Sequence, residues 1–419
     1  MESVDSILGT RGDHLSGKRI VHCITGSVAA MHAPGLAREL IRYGASVKVV
    51  MTPSALRFVG ADLMHWASGN PVVTELTGAS EHISLAGLVP PDRRSSAIVV
   101  APVTANTVSK IASGIDDTSV TTVVSVAIGS GIPIFLAPGM HEPMYRHPIL
   151  REHLERLKAL GVTILSPLMI EGKAKMAGVE AILRSVVRGV QSGEWMEKRV
   201  LVTSGPTFEP LDSVRMLTNP SSGKMGSSLA READLRGADV TLVSGPGSHC
   251  EVVGIRTIKV RTTRDMYQAV EAELSRVRYD FLFAAAAPAD FTPDVPKNGK
   301  YDSRSAVSIA LRPLPKIIDM VKEISPATFL VAFKAEHGLS EPELRSRASE
   351  RLSECDGDLI VANDVADSGK GFGADVNEVW VLDRKGQAVH LPAAKKEALS
   401  RRILDIALER SRSLSAIQR

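Results

Sequence analysis

Short apolar runs rich in β-branched residues alternate with helix-length segments along the chain, and this alternation most constrains the fold. In the first half the strand-like runs lie at 19–25, 46–51, 97–101, 133–137 and 162–166. The helix-length segments lie at 34–43, 105–113, 119–128 and 149–160. Strands and helices that alternate in this way are typical of parallel sheets covered by helices on both faces. The sequence therefore predicts an α/β fold of the doubly wound, Rossmann-like, three-layer type.

The same alternation restarts after the polar stretch Gln191-Ser-Gly-Glu-Trp-Met-Glu-Lys198. Strand-like runs then lie at 199–203, 239–244, 255–260, 280–284, 329–333 and 359–362, before a predicted hairpin (377–383 and 387–391) and a closing helix from Lys395. A chain of 419 residues is too long for one ordinary hydrophobic core. We therefore predict two α/β domains, 1–193 and 194–419.

Composition and cysteine spacing exclude several classes of protein. The net charge is +3 and only 4% of residues are aromatic, so a nucleic-acid surface is not expected. Cys23, Cys250 and Cys355 lie far apart, which argues against a disulfide framework or a thiolate metal site and fits a reducing compartment. The N-terminus lacks a signal-peptide pattern, and polar residues and Pro133 interrupt the apolar window 120–140. We expect a cytoplasmic protein without a membrane span.

Two segments of the second half have the composition of a phosphate-binding loop. Ser204-Gly-Pro-Thr-Phe-Glu-Pro-Leu-Asp-Ser-Val-Arg215 follows a strand-like run, and Asn219-Pro-Ser-Ser-Gly-Lys-Met-Gly226 precedes a helix-like segment. Small hydroxyl residues, a lysine and free backbone N–H groups at the start of a helix suit an anion. On spacing alone, an ordinary strand-to-helix connection explains these residues equally well.

The two segments together resemble the nucleotide-binding signature of phosphopantothenate–cysteine ligase, the C-terminal half of the bifunctional coenzyme A biosynthesis proteins. Further blocks match that family in the right order: Ala286-Ala-Pro-Ala-Asp290, Pro315-Lys-Ile-Ile-Asp319, Phe333-Lys-Ala-Glu336, Ala362-Asn-Asp-Val365 and Gly371-Phe-Gly-Ala-Asp-Val-Asn377. The resemblance implies that CTP, with Mg²⁺, activates the carboxylate of 4'-phosphopantothenate before the amine of cysteine attacks it. ATP in place of CTP, and an amine other than cysteine, stay open.

The resemblance also implies the residues of the ligase site. Asn219 matches the family Asn that assists amide formation, and Lys300 falls where the family has a lysine that reaches the phosphates. Lys297 lies close enough to compete for that assignment, and the metal ligands stay unassigned. The implied nucleotide-binding residues are Gly205, Thr207, Ser221, Ser222, Gly223, Lys224, Ala286, Ala287, Asp290, Lys300, Lys316, Phe333 and Asn363.

The first half carries its own anion-binding pattern. Ile24-Thr-Gly-Ser-Val-Ala-Ala30 follows the first strand-like run and opens a helix, which places hydroxyl and N–H groups at a favourable phosphate site. It is not G-x-G-x-x-G, and no acidic residue ends the second run, so a nicotinamide site is disfavoured. Val50-Met-Thr-Pro-Ser-Ala-Leu-Arg-Phe58 adds hydroxyl groups at the next strand end.

A longer motif, Ala101-Pro-Val-Thr-Ala-Asn-Thr-Val-Ser-Lys-Ile-Ala-Ser-Gly-Ile-Asp-Asp117, resembles the flavin-containing cysteine decarboxylases. The resemblance implies a flavodoxin-like flavoprotein that decarboxylates 4'-phosphopantothenoylcysteine to 4'-phosphopantetheine after its flavin oxidises the substrate thiol. Glu81-His-Ile-Ser-Leu-Ala86 matches the family segment that carries the catalytic histidine, which is His82 here. The implied FMN-binding residues are Gly26, Ser27, Thr52, Thr104, Ala105 and Asn106.

Two positions depart from the decarboxylase pattern. In Ala137-Pro-Gly-Met-His-Glu-Pro-Met-Tyr145, His141 stands where the family uses an asparagine to bind the substrate carboxylate. An imidazole still donates a hydrogen bond, so His141 stays in the predicted catalytic set. The substrate-clamping segment, Ile170-Glu-Gly-Lys-Ala-Lys-Met-Ala-Gly178, lacks the usual acid of the family, a cysteine. Lys173 or Lys175 could replace it, or both could be solvated loop lysines.

The resemblance implies homo-oligomers with a trimeric decarboxylase core, flavin sites shared between subunits and a dimeric ligase half, a combination that permits a dodecamer. Two alternatives stay open. Decarboxylase-like folds also occur in phosphatase-regulating proteins, but an interaction module needs no ligase signature. A flavin prenyltransferase-like activity of the first half is disfavoured by His82 and the Thr104-Ala-Asn106 motif. Residues 1–17 lie outside the resemblance.

Overall fold

The computed structural model describes residues 2–88, 90, 94–247, 252–367 and 369–417. The chain divides into two compact units, Met1–Ser192 and Gly193–Arg419. Within the described part, no helix is long and apolar enough to span a membrane. Cys23 and Cys355 are buried free thiols, and Cys250 lies outside the described residues.

The first unit is built on a parallel sheet. Its strands are β1 (Arg19–Ile24), β2 (Ser46–Met51), β3 (Val72–Val73), β4 (Ala97–Val103), β5 (Ile134–Pro138), β6 (Met140–His141), β7 (Thr163–Ile164), β8 (Leu168–Ile170) and β9 (Lys173–Lys175). The parallel sheet has the order β3-β2-β1-β4-β5-β7, and β6, β9 and β8 form a small separate antiparallel sheet. The buried β-branched residues of β1 and β4 place these strands at its centre.

Two groups of helices cover this sheet. The helices are α1 (Glu2–Asp5), α2 (Ala33–Arg42), α3 (Ala61–Ser68), α4 (Glu81–Ala86), α5 (Ala105–Ser113), α6 (Ser119–Gly129), α7 (Glu142–Tyr145), α8 (Pro148–Ala159) and α9 (Val179–Val190). Helix α2 contacts α3 and α9, whereas α6 contacts α4 and α5, and α5 contacts α8. Thr118 and Thr121 form a capping box that fixes where α6 begins. The predicted doubly wound fold is confirmed for this unit.

The second unit has a larger, mostly parallel sheet. Its strands are β10 (Arg199–Ser204), β11 (Glu209–Pro210), β12 (Met216–Leu217), β13 (Asp239–Ser244), β14 (Arg256–Lys259), β15 (Phe281–Ala284), β16 (Phe291–Pro293), β17 (Leu311–Pro313), β18 (Phe329–Glu336), β19 (Leu359–Asp364), β20 (Val376–Asp383) and β21 (Ala388–Lys395). The sheet order is β14-β13-β10-β15-β18-β19-β20-β21. Strands β20 and β21 are the predicted hairpin, which joins the sheet antiparallel to β19.

The sheet of the second unit separates two apolar cores. The helices are α10 (Lys224–Leu235), α11 (Thr263–Arg276), α12 (Val321–Ile324), α13 (Glu341–Glu354) and α14 (Lys396–Ile417). Val200 and Val202 belong to the core that includes residues of α10 and α14, and Leu201 belongs to the core that includes residues of α11 and α13. This alternation follows from the period of two along a strand.

The structure adds elements that the sequence analysis did not predict. Strand β3 is two residues long, and helices α3 and α4 lie in a stretch that received no assignment. The sequence analysis assigned no strand to the predicted substrate-clamping segment 170–178, but β8 and β9 form a hairpin across its first part, with Glu171 and Gly172 at positive φ in the turn. This short hairpin is stabilised by the pairing of β9 with β6, whose residues lie more than thirty positions earlier in the sequence.

Candidate active sites

The residues predicted to bind flavin lie at the carboxyl ends of neighbouring strands of the first unit. Gly26 and Ser27 follow β1, Thr52 follows β2, and Thr104, Ala105 and Asn106 follow β4. The strand order reverses between β1 and β4, because β2 lies on one side of β1 and β4 on the other. Ligands of open α/β sheets bind at such a reversal, outside the carboxyl ends of the strands. The fold thus brings these predicted residues to one edge of the sheet.

Hydrogen bonds tie together the loops that follow β1, β4 and β5. The hydroxyl of Thr25 donates to the carbonyl of Pro102 at 2.9 Å and accepts from the backbone N–H of Thr104 at 3.0 Å. The hydroxyl of Ser27 donates to the carbonyl of Gly139 at 3.4 Å. This edge is therefore held in one arrangement by bonds between residues far apart in sequence.

Gly26 packs closely against the loop after β2, and the start of α5 makes this edge polar. A Cβ atom on Gly26 would lie 2.5 Å from the Cβ atom of Ser54, so no larger residue fits without a shift of the backbone. Thr104 caps α5 by accepting from the N–H of Thr107, and the positive end of the helix dipole lies beside it. A helix N-terminus and the hydroxyl groups beside it suit the phosphate of a flavin mononucleotide, so the residues present fit that cofactor.

His22 supports the same edge from within β1, although the sequence analysis gave it no role. Its Nε2 atom lies 2.8 Å from the carbonyl oxygen of Ala101, to which it donates. Burial lowers the pKa of His22 to about 4, so the ring is neutral near pH 7. A single histidine in an apolar run carried no signal that would have predicted this contact.

His82 lies on α4 and is half-buried. Its Nδ1 atom is buried and has no hydrogen-bond partner among the described residues. Its helix packs against α6, while the nearby Ile83 and Leu88 are 46% and 82% exposed. Within the described part of the chain, no hydrogen bond joins His82 to the edge that carries the predicted flavin residues. Its catalytic role stays a prediction.

His141 lies in the small sheet formed by β6, β9 and β8. It is exposed, and it pairs with Lys173 across the antiparallel ladder, while Met140 pairs with Ala174. Directly opposed residues share a face of a sheet, so Lys173 is the cross-strand neighbour of His141. Lys175 is bound elsewhere, because its ammonium group lies 2.8 Å from the carboxylate of Glu171. The structure thus separates the two lysines that the sequence analysis left equivalent.

A cavity of about 490 Å³ in the second unit collects most residues predicted to bind the nucleotide. Its walls come from the loop before α10, the loop after β15 and the ends of β18 and β19. The predicted residues that line it are Asn219, Ser221, Ser222, Gly223, Lys224, Ala286, Ala287, Asp290, Lys316, Phe333 and Asn363. Five separate sequence motifs therefore meet in one cavity.

Close packing at the end of β10 positions the loop before α10. The hydroxyl of Ser204 donates to the carbonyl of Gly223 at 2.8 Å. A Cβ atom on Gly226 would lie 2.6 Å from the Cβ atom of Ser204, so a glycine is needed for the first turn of α10 to approach the strand. The loop therefore presents Ser221, Ser222 and Gly223 to the cavity from the N-terminal end of a helix.

Gly205 and Thr207 were predicted to contact the nucleotide, but they are not among the residues that line this cavity. The hydroxyl of Thr207 lies 2.7 Å from that of Thr263 and accepts from the N–H of Ala289 at 2.8 Å. The carbonyl of Gly205 accepts from the N–H of Ala287 at 3.0 Å. In this structure both residues hold the loop that follows β15, so their observed contacts are structural.

Asn219 holds the same loop from the cavity side. Its side-chain amide donates to the carbonyl oxygens of Pro288 at 2.9 Å and Ala287 at 3.3 Å. The amide nitrogen is therefore engaged by two carbonyl groups of this loop, and the side-chain oxygen is not used in these two bonds. Asn219 is placed both to brace the loop and to contact a bound ligand.

Lys300 is exposed and does not line the cavity. Its loop is fastened by the buried carboxylate of Asp212, which accepts from the N–H of Tyr301 at 3.0 Å and from that of Arg215 at 2.6 Å. These backbone N–H groups hold the pKa of Asp212 well below its usual range. Lys297 has its ammonium group 4.6 Å from the centre of the Tyr301 ring. The loop thus engages Lys297 and leaves Lys300 facing solvent.

The cationic side chains on the cavity wall differ in their partners. Lys224 lies 2.6 Å from the carboxylate of Asp375, and Lys316 pairs with Asp290. Two further residues of the wall, Arg351 and Lys396, were not identified from the sequence. Arg351 pairs with Asp319 at 2.5 Å. Neither position belongs to a motif that the sequence analysis recognised as part of the site.

Known proteins match this chain over nearly its whole length. A flavoprotein family model matches residues 9–191, and a model described as DNA/pantothenate metabolism flavoprotein C-terminal domain matches residues 195–410. A coenzyme A biosynthesis bifunctional protein CoaBC from Thermococcus kodakarensis is 46% identical over 405 residues, 97% of this chain and 98% of its own. The proteins of that name from Methanocaldococcus jannaschii and Bacillus subtilis are 34% and 32% identical, each over 97% of this chain and over 97% and 98% of their own.

Proposed function

The chain belongs to the family of coenzyme A biosynthesis bifunctional proteins, and on that premise we propose which residues carry out each of its reactions. Its second unit is the phosphopantothenate–cysteine ligase and its first unit is the flavoprotein decarboxylase. Ligation of 4'-phosphopantothenate with cysteine precedes decarboxylation to 4'-phosphopantetheine. The observation that carries the assignment is similarity over 97% of the chain to bifunctional relatives. It leaves no support for an interaction module or a flavin prenyltransferase.

FMN is the flavin that the first unit binds. Gly26 lets the loops after β1 and β2 pack closely at this edge, and the capped start of α5 offers N–H groups to a phosphate. When bound, the flavin supplies the oxidation of the substrate thiol that makes loss of CO2 possible. The residues of the chain hold it at the edge formed by the loops after β1, β2 and β4.

The roles of His82 and His141 follow from the protons and charge that decarboxylation involves. The substrate loses a carboxylate, and the carbon that carried it must then gain a proton. His82 handles substrate protons, because the nitrogen atoms of an imidazole can accept and donate a proton. His141 donates a hydrogen bond to the substrate carboxylate, and Lys173 supplies the proton that follows loss of CO2.

Substitution of Lys173 tests this last assignment. We expect Lys173→Met to leave CO2 release intact but to lower formation of 4'-phosphopantetheine by roughly a hundredfold, because a positioned acid contributes at least that much. Lys175→Met is the matched control, since Lys175 lies two residues away and pairs with Glu171. The measurement is CO2 release and product yield from 4'-phosphopantothenoylcysteine. An unchanged product yield with Lys173→Met would remove Lys173 from the reaction.

The ligase site binds CTP with its phosphates at the loop before α10. Ser221, Ser222 and Gly223 offer hydroxyl and N–H groups, and Lys224 adds a positive charge. Mg²⁺ enters with the nucleotide, because it is commonly held by substrate phosphates and one or two carboxylates. Its protein ligands are left unassigned. Lys300 reaches the phosphates during nucleotidyl transfer, and Asn219 acts in amide formation.

The assembly is a homo-oligomer with a trimeric decarboxylase core and a dimeric ligase half, a combination that permits a dodecamer, and it works in the cytoplasm. Large apolar side chains exposed on the first unit support self-association: Val28 and Met31 are 69% and 66% exposed, and Trp66 is 50% exposed. Flavin sites shared between subunits would explain why His82 lies on a helix with exposed apolar neighbours.

Two assays on the purified full-length protein test the proposed function. The protein as isolated, or after incubation with FMN, should show the absorption bands of an oxidised flavin. With 4'-phosphopantothenate and CTP it should release pyrophosphate, and added cysteine should then yield 4'-phosphopantothenoylcysteine. A colourless protein that cannot be reconstituted would contradict the flavin assignment. Pyrophosphate release with ATP in preference to CTP would contradict the choice of nucleotide.

A further inference from the structure

The wall of the ligase cavity carries one buried ammonium group whose observed partner is not a carboxylate. Among the described residues that line the cavity, Lys224, Lys316, Lys334 and Arg351 each pair with an Asp or Glu side chain. The ammonium group of Lys396 instead donates to the backbone carbonyl of Gly371 at 2.8 Å. The charges of the four paired cations are largely balanced by their carboxylate partners, so Lys396 supplies the excess positive charge of the cavity wall.

The position of Lys396 makes that charge unfavourable in the absence of an anion. Only 5% of the residue is exposed, and burial is the main cause that lowers its pKa, with Lys224 as the next. Lys396 is also the first residue of α14, where the helix dipole disfavours a cation. Buried groups that are perturbed in this way cluster at functional sites.

Lys396, Lys224 and Asp375 form one charged cluster on the cavity wall. Asp375 interacts electrostatically with both lysines and, more weakly, with the exposed Lys395, and its carboxylate lies 2.6 Å from the ammonium group of Lys224. The side chain of Asp375 is 79% exposed, so it can move without disturbing the core. These two lysines and one carboxylate carry a net charge of +1, and the carboxylate of Glu397 also interacts electrostatically with Lys396. Lys224 directly follows Gly223, so the cluster adjoins the loop that presents N–H and hydroxyl groups.

We propose that Lys396 and Lys224 form a subsite for the phosphate oxygens of a ligase substrate. In the absence of that anion Asp375 pairs with Lys224, and the bound phosphate replaces the Asp375 carboxylate as the partner of Lys224. The proposal rests on the ligase function assigned to this cavity and adds to it a residue from the C-terminal helix. A phosphate group can come from the polyphosphate of the nucleotide or from the phosphate monoester of 4'-phosphopantothenate. Both offer the same charged oxygen acceptors.

Calorimetric titration of the full-length protein tests the subsite directly. The variants are Lys396→Met, which keeps the length and apolar stem of the side chain, and Lys395→Met, its exposed neighbour. Inorganic tripolyphosphate is titrated in one arm and 4'-phosphopantothenate in the other. We expect Lys396→Met to weaken binding in one arm by about 10- to 100-fold, the usual effect of one lost charged hydrogen-bond partner. The arm that weakens identifies the source of the phosphate. Lys395→Met should bind like the wild type.

Asp375→Asn tests the same proposal at an exposed position, where folding is not at risk. Removal of the competing carboxylate should tighten binding in the arm that Lys396→Met weakens, because Lys224 no longer has to exchange partners. Equal binding by Lys396→Met and Lys395→Met in both arms, or unchanged or weaker binding by Asp375→Asn, would overturn the proposal. If Lys396→Met fails to fold, as thermal unfolding would show, tighter binding by Asp375→Asn in either arm supports the proposal, and unchanged or weaker binding in both arms overturns it.

Failure of the proposed function has a different signature. A wild-type protein that releases no pyrophosphate from CTP with 4'-phosphopantothenate would contradict the ligase assignment itself. A wild-type protein that does so, but whose affinity for both anions is insensitive to Lys396 and Asp375, would contradict only the subsite.

Discussion

Replacement of His82 by Asn is expected to stop release of CO2 from 4'-phosphopantothenoylcysteine while the protein keeps its flavin. His82 is predicted to handle protons of the substrate, and the proposed flavin contacts come from other loops. Loss of a positioned acid or base lowers a rate by roughly 100- to 10,000-fold. Asn keeps a polar side chain but cannot exchange a proton near neutral pH. The measurement is single-turnover CO2 release, alongside the absorption spectrum of the variant.

An exposed histidine in the same unit provides the control. His147 precedes α8 and is exposed to solvent, so His147→Asn should leave both flavin content and CO2 release unchanged. If His82→Asn retained near-normal decarboxylation, the half-buried ring on α4 would be a structural residue. If the variant instead lost its flavin, His82 would belong to the cofactor site and not to the reacting centre.

Lys300 and Asn219 are expected to separate the two steps of the ligase. Lys300→Gln should slow formation of the acyl-cytidylate by about a hundredfold, the typical cost of one preorganised contact to developing charge. Asn219→Asp should let pyrophosphate release proceed while the acyl-cytidylate accumulates, because a carboxylate cannot donate a hydrogen bond to the intermediate of amide formation. The measurement is CTP-dependent pyrophosphate release with and without cysteine, together with detection of the intermediate.

The contacts of both residues define the controls for this experiment. Lys297→Gln changes a lysine of the same loop that already lies over the Tyr301 ring, so it should have a small effect if Lys300 is the phosphate lysine. Asn219→Asp also removes the bonds to the carbonyl oxygens of Ala287 and Pro288. If it blocks activation as completely as Lys300→Gln, bracing of that loop is its main role. If neither change slows the reaction, both assignments fail.

Local patterns in the sequence were sufficient for the class of fold and for most elements. The run 46–51 is a strand over the predicted residues, and the segment 105–113 is a helix over the predicted residues. Period-two burial and helix caps depend on near neighbours in the chain, so they can be read without a structure. Strand β3 and the hairpin β8–β9 were missed, because their stability depends on partners that are distant in the sequence and leave no local pattern.

Some residues of the candidate site were also identified from local sequence patterns, and others only from the tertiary structure. The loop from Asn219 to Gly226 and the motif from Ala286 to Asp290 are short contiguous segments, so the sequence by itself identified them and the chemistry of the bifunctional family they belong to. Only the tertiary structure showed that Lys224 meets Asp375, 151 residues away, and that Lys396 is buried in the same wall. It also distinguished Lys173, opposite His141, from Lys175. Composition and spacing specify residue types and local geometry, whereas burial and the pairing of charges arise only when distant segments pack together.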